Sequence, residues 1–405
     1  MPKASDVVFV DGVRTPFGRA GEKGVFWKTR SDDLAVHAMR GLLDRNAFDT
    51  AAVDDVAVAA TTQQGDQGLT LGRTVGMLAG LPKSVPGYAI DRMCAGAMTS
   101  VTTLAGAIAF GAADIAIAGG VEHMGRHPMG FNADPNPRFV AERMVLSDAL
   151  VMGATAERLH DRFPAITKDR TDAYAVQSQQ RYAAAWANGK LQPDVIPVEV
   201  NKGDGWDVVS TDEPPRPGTT LEALAALKTP FRPHGRVTAG NAAGLNDGAT
   251  MGLLASEDGA KQHGLSTKMR MVSFAFAGVE PEVMGVGPVP ATDKALSKAG
   301  LSIDDIGLFE INEAFAVQVL AFLDNYGIAQ DSPNVNAWGG AIAVGHPLAS
   351  SGVRLMNQLA AQFAERPDVK YGITTMCIGL GQGGTVIWEN PNHSKSAERS
   401  ARKGA

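Results

Sequence analysis

The stretch "GYAIDRMCAGAMTSVTTLAGAIAFGAADIAIAGG", residues 87–120, decides the fold. "GYAIDRM" reads as a strand running into Cys94. "AGAMTSVTTLAGAIAFGA" then reads as a helix made mostly of Ala, Gly and Thr, and "DIAIAGG" as another strand. Strands alternating with helices argue for an α/β fold. Cys94 sits where strand gives way to helix. A helix N-terminus offers free N–H groups and a partial positive charge. Both lower a thiol pKa and favour the nucleophilic thiolate. The bland alternative is a small buried hydrophobe, and position alone does not choose between the two.

The alternation extends outward from this stretch. "VVFVDGVRTP" is a buried strand and a turn. "SDDLAVHAMRGLLDRN" is a helix with Ser31 as N-cap and Leu34, Met39, Leu42 and Leu43 as its apolar residues. "DDVAVAATT" is a short strand and "GLTLGRTVGMLAGL" a helix. The second part repeats the rhythm. "MRMVSFAFAGV" is a strand, and "PVPATDKALSKAG" is a helix with Pro near its start and Gly at its end. "DIGLFEINEAF" is a strand entering a helix. "ASSGVRLMNQLAAQFAER" places Leu355, Met356, Leu359 and Phe363 on one face. "YGITTMCIGLGQGGTVIWE" is strand, glycine turn, strand. The shared rhythm suggests a duplicated domain. Across residues 121–244 it fails. "RHPMGFNADPNPRF" and "DEPPRPGTT" are loop-rich, and "KDRTDAYAVQSQQRYAAAWANGK" is a separate amphipathic helix. Long irregular insertions of this sort are often functional. "NPNHSKSAERSARKGA" reads as a frayed polar tail.

The composition is ordinary and globular, with 44% hydrophobic and 20% charged residues. A net charge of −6 argues against nucleic acid, which calls for a basic excess. No apolar run is expected to reach the length of a membrane span. The start of the chain shows no signal-peptide layout and no Arg-rich transit segment. With two cysteines there is no disulfide framework, so a reducing cytoplasm is the expected compartment. The two cysteines are far apart, with no CxxC or HxxxH spacing, so no metal site is expected.

Three further positions carry chemistry. Cys377 precedes "IGLGQGG", a glycine turn that lets a ligand approach and whose N–H groups suit an oxyanion. The alternative is a strand-end cysteine beside a tight turn. His346 lies in "WGGAIAVGHPLASSG", framed by Gly345 and Pro347, where a histidine can act as base for a thiol. Asn312, followed by Glu313, stands at a strand-to-helix junction. It either caps the helix or holds a water or substrate oxygen.

Taken in order and spacing, "CAGAM", "NEAF", "GGAIAVGHP" and "CIGLGQG" resemble the thiolase family. The likeness extends to "VRTPFG", "GGVEHM" at 119–124, "MGATAE" at 152–157 and "TAGNAAGLNDGA" at 238–249, and covers nearly the whole chain except the tail. "GGVEHMGRHPM" with "MGATAERL" is most similar to degradative 3-ketoacyl-CoA thiolases of bacterial fatty-acid-oxidation complexes. The resemblance implies a five-layer αβαβα sandwich of two similar halves with an inserted loop domain. The first half would take residues 1–120 and 245–270, the insertion 121–244, the second half 271–391 and the tail 392–405. Cys94 then matches the nucleophile and His346 the group that takes its proton. Cys377 matches the second cysteine, which exchanges a proton with the acetyl α-carbon. Asn312 matches the asparagine that holds a water, forming with His346 an oxyanion hole for the acetyl-CoA enolate. The N–H groups of Cys94 and Gly379 match a second hole.

The implied reaction is CoA-dependent cleavage of a 3-ketoacyl-CoA through an acyl-cysteine, with CoA as co-substrate and no permanently bound cofactor. Arg216, Phe231 and Met152 match positions near CoA or the acyl chain. Ala243 stands where many relatives carry a serine that touches the pantetheine. Trp338 replaces a small polar residue, either reshaping the site wall or merely packing. The resemblance implies a homodimer or homotetramer and raises a hydratase–dehydrogenase subunit as partner. The rival readings are an acetoacetyl-CoA thiolase working on short chains or in the condensing direction, a ketoacyl-synthase-like condensing enzyme, and a non-catalytic acyl-CoA binder.

Overall fold

In the computed structural model, residues 6–130 and 132–393 are described. The principal elements of the first part are β1 (Val7–Arg14), α1 (Ser31–Arg45), β2 (Asp55–Ala59), α2 (Leu71–Ala79), β3 (Tyr88–Ile90), α3 (Gly96–Phe110) and β4 (Ile115–His123). The insertion carries α4 (Met152–Arg162), α5 (Lys168–Ala187) and a two-stranded hairpin of Val198–Asn201 with Trp206–Val209. The chain returns through β5 (Asn246–Ser256). The second part follows with β6 (Met269–Gly278), α6 (Pro288–Ala299), β7 (Ile306–Ile311), α7 (Ala316–Tyr326), α8 (Ser351–Glu365), β8 (Tyr371–Ile378) and β9 (Gln382–Glu389).

The strands run in the order β7-β8-β9-β6-β1-β5-β4-β2-β3. From the centre outward both halves repeat one pattern. β1–β5 and β5–β4 are antiparallel and β4–β2 parallel; β6–β9 and β9–β8 are antiparallel and β8–β7 parallel. The duplicated rhythm of the sequence is thus a duplicated topology. Among the described residues the halves pair edge to edge at Val8–Arg270 and Phe9–Met269.

Strand alternation sorts side chains into layers. Val8, Val56, Val58, Ile115 and Ile117 face α1 and α2 on one outer side. Phe9, Ala57, Ala116 and Ala118 face inward, to a core shared by α3, α8, Met376, Val386 and Trp388. Ile311, Ile373 and Ile387 face α6 and α7 on the other outer side. The result is five layers, with α3 and α8 as the central one. Small residues make that layer possible. A Cβ on Gly352 of α8 would lie 2.4 Å from the backbone nitrogen of Met98 in α3.

Two expectations are corrected here. Ser31 is the first residue inside α1, not its N-cap; Arg30 precedes it, and the Ser31 hydroxyl donates to Asp66 at 2.9 Å. Met93–Phe110 is long and apolar enough, by length and composition, to cross a membrane, although 67% of it is buried inside the protein. Its apolarity has a packing cause, because most of its surface lies between two sheets and only a few positions, Thr103, Gly106 and Phe110 among them, are exposed. The tail read at 392–405 lies outside the described residues apart from Asn392 and His393.

Candidate active site

Four polypeptide junctions meet at the site. After β3, a 3₁₀ turn of Met93–Ala95 delivers Cys94 to the start of α3. Met93 is held at φ +45°, a left-handed backbone that costs a non-glycine residue about 1–2 kcal/mol. The Asp91 carboxylate offsets part of this by accepting the Met93 N–H at 2.6 Å. The Cys94 turn packs against the Leu348–Ser350 turn that follows His346, and against β8, which carries Cys377. Beyond β8 the chain reverses through Gly379, Leu380 (φ +60°) and Gly381 (φ +73°).

Both cysteines are free and buried. Burial pushes the Cys94 thiol up to about 11, reversing the direction expected from a helix N-terminus. Hydrogen bonds from the N–H groups of Gly379 and of Cys94 itself oppose this, while the charges of Glu122 and Asp91 add to it. The two N–H groups expected to form one oxyanion hole thus both bear on the Cys94 thiol. Cys377 is also pushed up, by burial first and by the charge of Cys94 second, so the two thiols sense each other electrostatically.

His346 is buried and exactingly held. Its N–H donates to Asn246 Oδ1 at 2.9 Å. Gly345 just before it has φ +102°, and a Cβ there would come within 2.6 Å of the Asn246 amide, so only glycine fits. Nδ1 lies 2.6 Å from Ser351 Oγ. Burial, then the positive charge of Arg354, drives the imidazole down to about 3, so it is neutral near pH 7. Asn312 Nδ2 stands 3.3 Å from His346 Nε2 and 3.5 Å from Nδ1. Asn312 does not cap α7, which begins at Ala316 after Phe315. Its backbone N–H donates to Thr375 O at 2.9 Å and its Oδ1 accepts from Arg354 Nη2 at 3.3 Å. Glu313 points away from this group and fastens α5 instead, accepting from Tyr174 at 2.9 Å and Ser178 at 2.6 Å.

The residues expected near CoA gather as two pairs. Arg216 lines a cleft of about 560 Å³, together with Ala242 and Gly244 on either side of Ala243, and with Asn246 and Ile342 at its inner end. Through Asn246 the cleft reaches the backbone of His346. Phe231 covers Gly153, where a Cβ would meet the ring at 2.2 Å. Met152 next to it extends its sulfur to within 3.7 Å of a Cβ built on Gly379. Trp338 packs, in a cluster with Phe17, Tyr182, Ala343 and Val344.

Five polar residues were missed by the sequence reading. Asn246 lay inside a quoted stretch, and Ser351 and Arg354 just beyond His346. Glu310 lies two residues before Asn312, and burial raises its carboxyl to about 8 against the opposing charge of Arg354. Glu122 accepts from Thr61 N at 3.1 Å and Ala349 N at 3.2 Å, tying β4 to the turn after His346.

The chain is similar to known proteins along nearly its whole length. The models "Thiolase, N-terminal domain" and "Thiolase, C-terminal domain" match residues 7–258 and 265–390. The chain is 43% identical over 387 residues to a 3-ketoacyl-CoA thiolase of Escherichia fergusonii, covering 95% of this chain and 99% of the relative. It matches the crystal structure of human mitochondrial 3-ketoacyl-CoA thiolase with a TM-score of 0.86 and 35% identity, over 95% of this chain and 99% of that one. A structure of the human protein in complex with CoA matches at 0.85 and 35% identity, over 95% and 98% of the two chains. The Bacillus anthracis acetyl-CoA acetyltransferase matches at 0.86 with 34% identity, over 96% and 100%.

Proposed function

The chain belongs to the thiolase family of enzymes, and from that premise we propose that it is a 3-ketoacyl-CoA thiolase of fatty-acid β-oxidation. The observation that carries the reading is the packing of the Cys94 turn against the strand that carries Cys377 and against the turn that follows His346, whose ring lies beside Asn312.

In this reading the substrate lies in the cleft beside Arg216 and Ala243, with Phe231 and Met152 flanking the approach to Gly379. The Cys94 sulfur bonds to C3 of the 3-ketoacyl-CoA while its proton passes to His346. A resting pair that is neutral on both sides makes this transfer concerted with bond formation. The oxyanion at C3 is held by the Cys94 and Gly379 N–H groups. The C2–C3 bond then breaks, leaving an acyl-Cys94 thioester and the enolate of acetyl-CoA. His346, with a water held by Asn312, supports the enolate oxygen. Cys377 donates its proton to C2, and acetyl-CoA departs. Cys377 next takes the proton of incoming CoA, whose sulfur attacks the acyl-Cys94 carbonyl. Cys94 leaves and recovers its proton from His346, which completes a ping-pong cycle. Two free buried thiols suit a reducing cytoplasm. A homodimer or homotetramer, with a hydratase–dehydrogenase subunit as a further partner, fits the kinship with bacterial relatives.

The test compares CoA-dependent loss of a four-carbon and a sixteen-carbon 3-ketoacyl thioester by the wild type and Cys94→Ser. Faster cleavage of the long substrate, abolished by the substitution, is expected. Cleavage of the short one alone would make this an acetoacetyl-CoA thiolase, and cleavage of neither would refute the reading.

A further inference from the structure

We propose that Arg354 is a positioning residue of this site, whose guanidinium sets the Asn312 amide so that its NH2 group faces His346. The proposal rests on the thiolase reading above. Arg354 lies one turn beyond Ser351 in α8 and is only 2% exposed. Nη2 lies 3.3 Å from the Asn312 side-chain oxygen. A guanidinium donates hydrogen bonds and accepts none. The amide atom opposite it must therefore be the carbonyl, and the planar group has no choice but to turn its nitrogen toward the imidazole, 3.3 Å from Nε2. Among the described residues the Asn312 side chain has only Arg354 and the His346 ring as hydrogen-bond partners. Once the ring carries a proton it no longer favours the nitrogen, the arginine alone does, and the flipped amide would present an acceptor where a developing oxyanion needs a donor.

The ion-pair explanation of Arg354 fits the geometry less well. Its carboxylate neighbour, Glu310, stands 3.9 Å away. Glu310 Oε2 and Arg354 Nε both lack hydrogen-bond partners among the described residues. A buried charge kept for stability would be expected to satisfy these groups. What the guanidinium does satisfy is the carbonyl of Gln358 and that of Asn312.

The experiment is a double-mutant cycle on thiolysis with wild type, Arg354→Gln, Asn312→Ala and the double variant. Glu310 can take up a proton, so Arg354→Gln is not left with an unpaired buried carboxylate; circular dichroism checks the fold, and Arg354→Lys serves if the glutamine variant does not fold. Arg354→Gln should lower kcat roughly 10- to 100-fold with KM changed by less than about threefold. In the Asn312→Ala background the same substitution should cost less than about threefold, because its effect runs through Asn312. Losses that multiply would overturn the proposal. A crystal structure of the Arg354 variant supplies a readout independent of turnover: a lengthened or rotated Asn312–His346 contact is expected, and an unchanged one refutes the role. If the wild type fails to cleave 3-ketoacyl-CoA, the functional reading falls while this geometric result still decides the role of Arg354.

Discussion

Replacing Ser351 with alanine isolates one hydrogen bond that fixes the orientation of His346. Asn312 Nδ2 is almost equidistant from the two ring nitrogens, at 3.3 and 3.5 Å, so it does not tell the ring which way round to lie. Ser351 Oγ, 2.6 Å from Nδ1, does. With Nδ1–H donating to that hydroxyl, Nε2 is left as the free base facing the chemistry. Ser351→Ala removes only an oxygen, in a fully buried place, and leaves Nδ1 without its partner. Leaving a buried polar group unsatisfied costs about 1–3 kcal/mol. If that loss falls on the transition state, kcat drops roughly 5- to 150-fold, since 1.36 kcal/mol is tenfold. KM should hardly move, because Ser351 does not line the cleft beside Arg216. Steady-state thiolysis, with the thermal midpoint as a fold check, decides it. A variant whose kcat stays within about twofold of wild type would show that the ring needs no such orienting bond.

Two further outcomes follow from burial. The thiolate alone reacts with alkylating agents, and burial raises Cys94 to about 11. Iodoacetamide labelling of Cys94, followed by mass spectrometry, should therefore accelerate about tenfold per pH unit from roughly pH 7 to 10 without levelling; a plateau below about pH 8 would mean the site stabilises the thiolate at rest. The folded His346 titrates at about 3, below its ordinary value of 6.5. Below pH 6.5 the unfolded chain binds a proton that the folded chain refuses, so this stabilisation, complete above 6.5, is lost as pH falls toward 3. At about pH 5 the loss is about 2 kcal/mol. Urea midpoints at the two pH values should thus fall further for wild type than for His346→Gln, and parallel shifts would contradict a neutral buried ring.

Much of this was legible in the sequence because it rests on local rules. Strands alternating with helices announced an α/β fold and the family resemblance announced the layers, while Asn312 does lie beside His346 and Cys94 near Cys377. What escaped was polar and buried. In α8 the periodic reading took Leu355, Met356, Leu359 and Phe363 as the buried face, which implies that the rest is wet. A helix in a central layer is enclosed on every side, so Arg354, Asn357, Gln358 and Gln362 are buried too. One-faced periodicity has no way to express that. The Cys94 thiol misled for a related reason: its place at a helix start is a local property, whereas its desolvation is imposed by chain segments far away in sequence. The Ser31 cap failed because a serine before an apolar run is equally at home one residue further in, when Asp66 takes its hydroxyl.

The division of the reactive groups between the halves bears on biosynthesis. The first half closes with β5, which ends at Ser256, yet it owns only Cys94. Asn312, His346, Cys377 and the Gly379 N–H are all translated later. A first half that folds before the rest is made holds its thiol without His346 or Cys377, and without the Leu348–Ser350 turn and β8 that cover it in the finished protein. The set of groups is complete only when β8 and the turn at Gly379 are in place. Until then the first half exposes the face of α3 that α8 later covers, so the order of synthesis leaves the nucleophile bare before its partners exist.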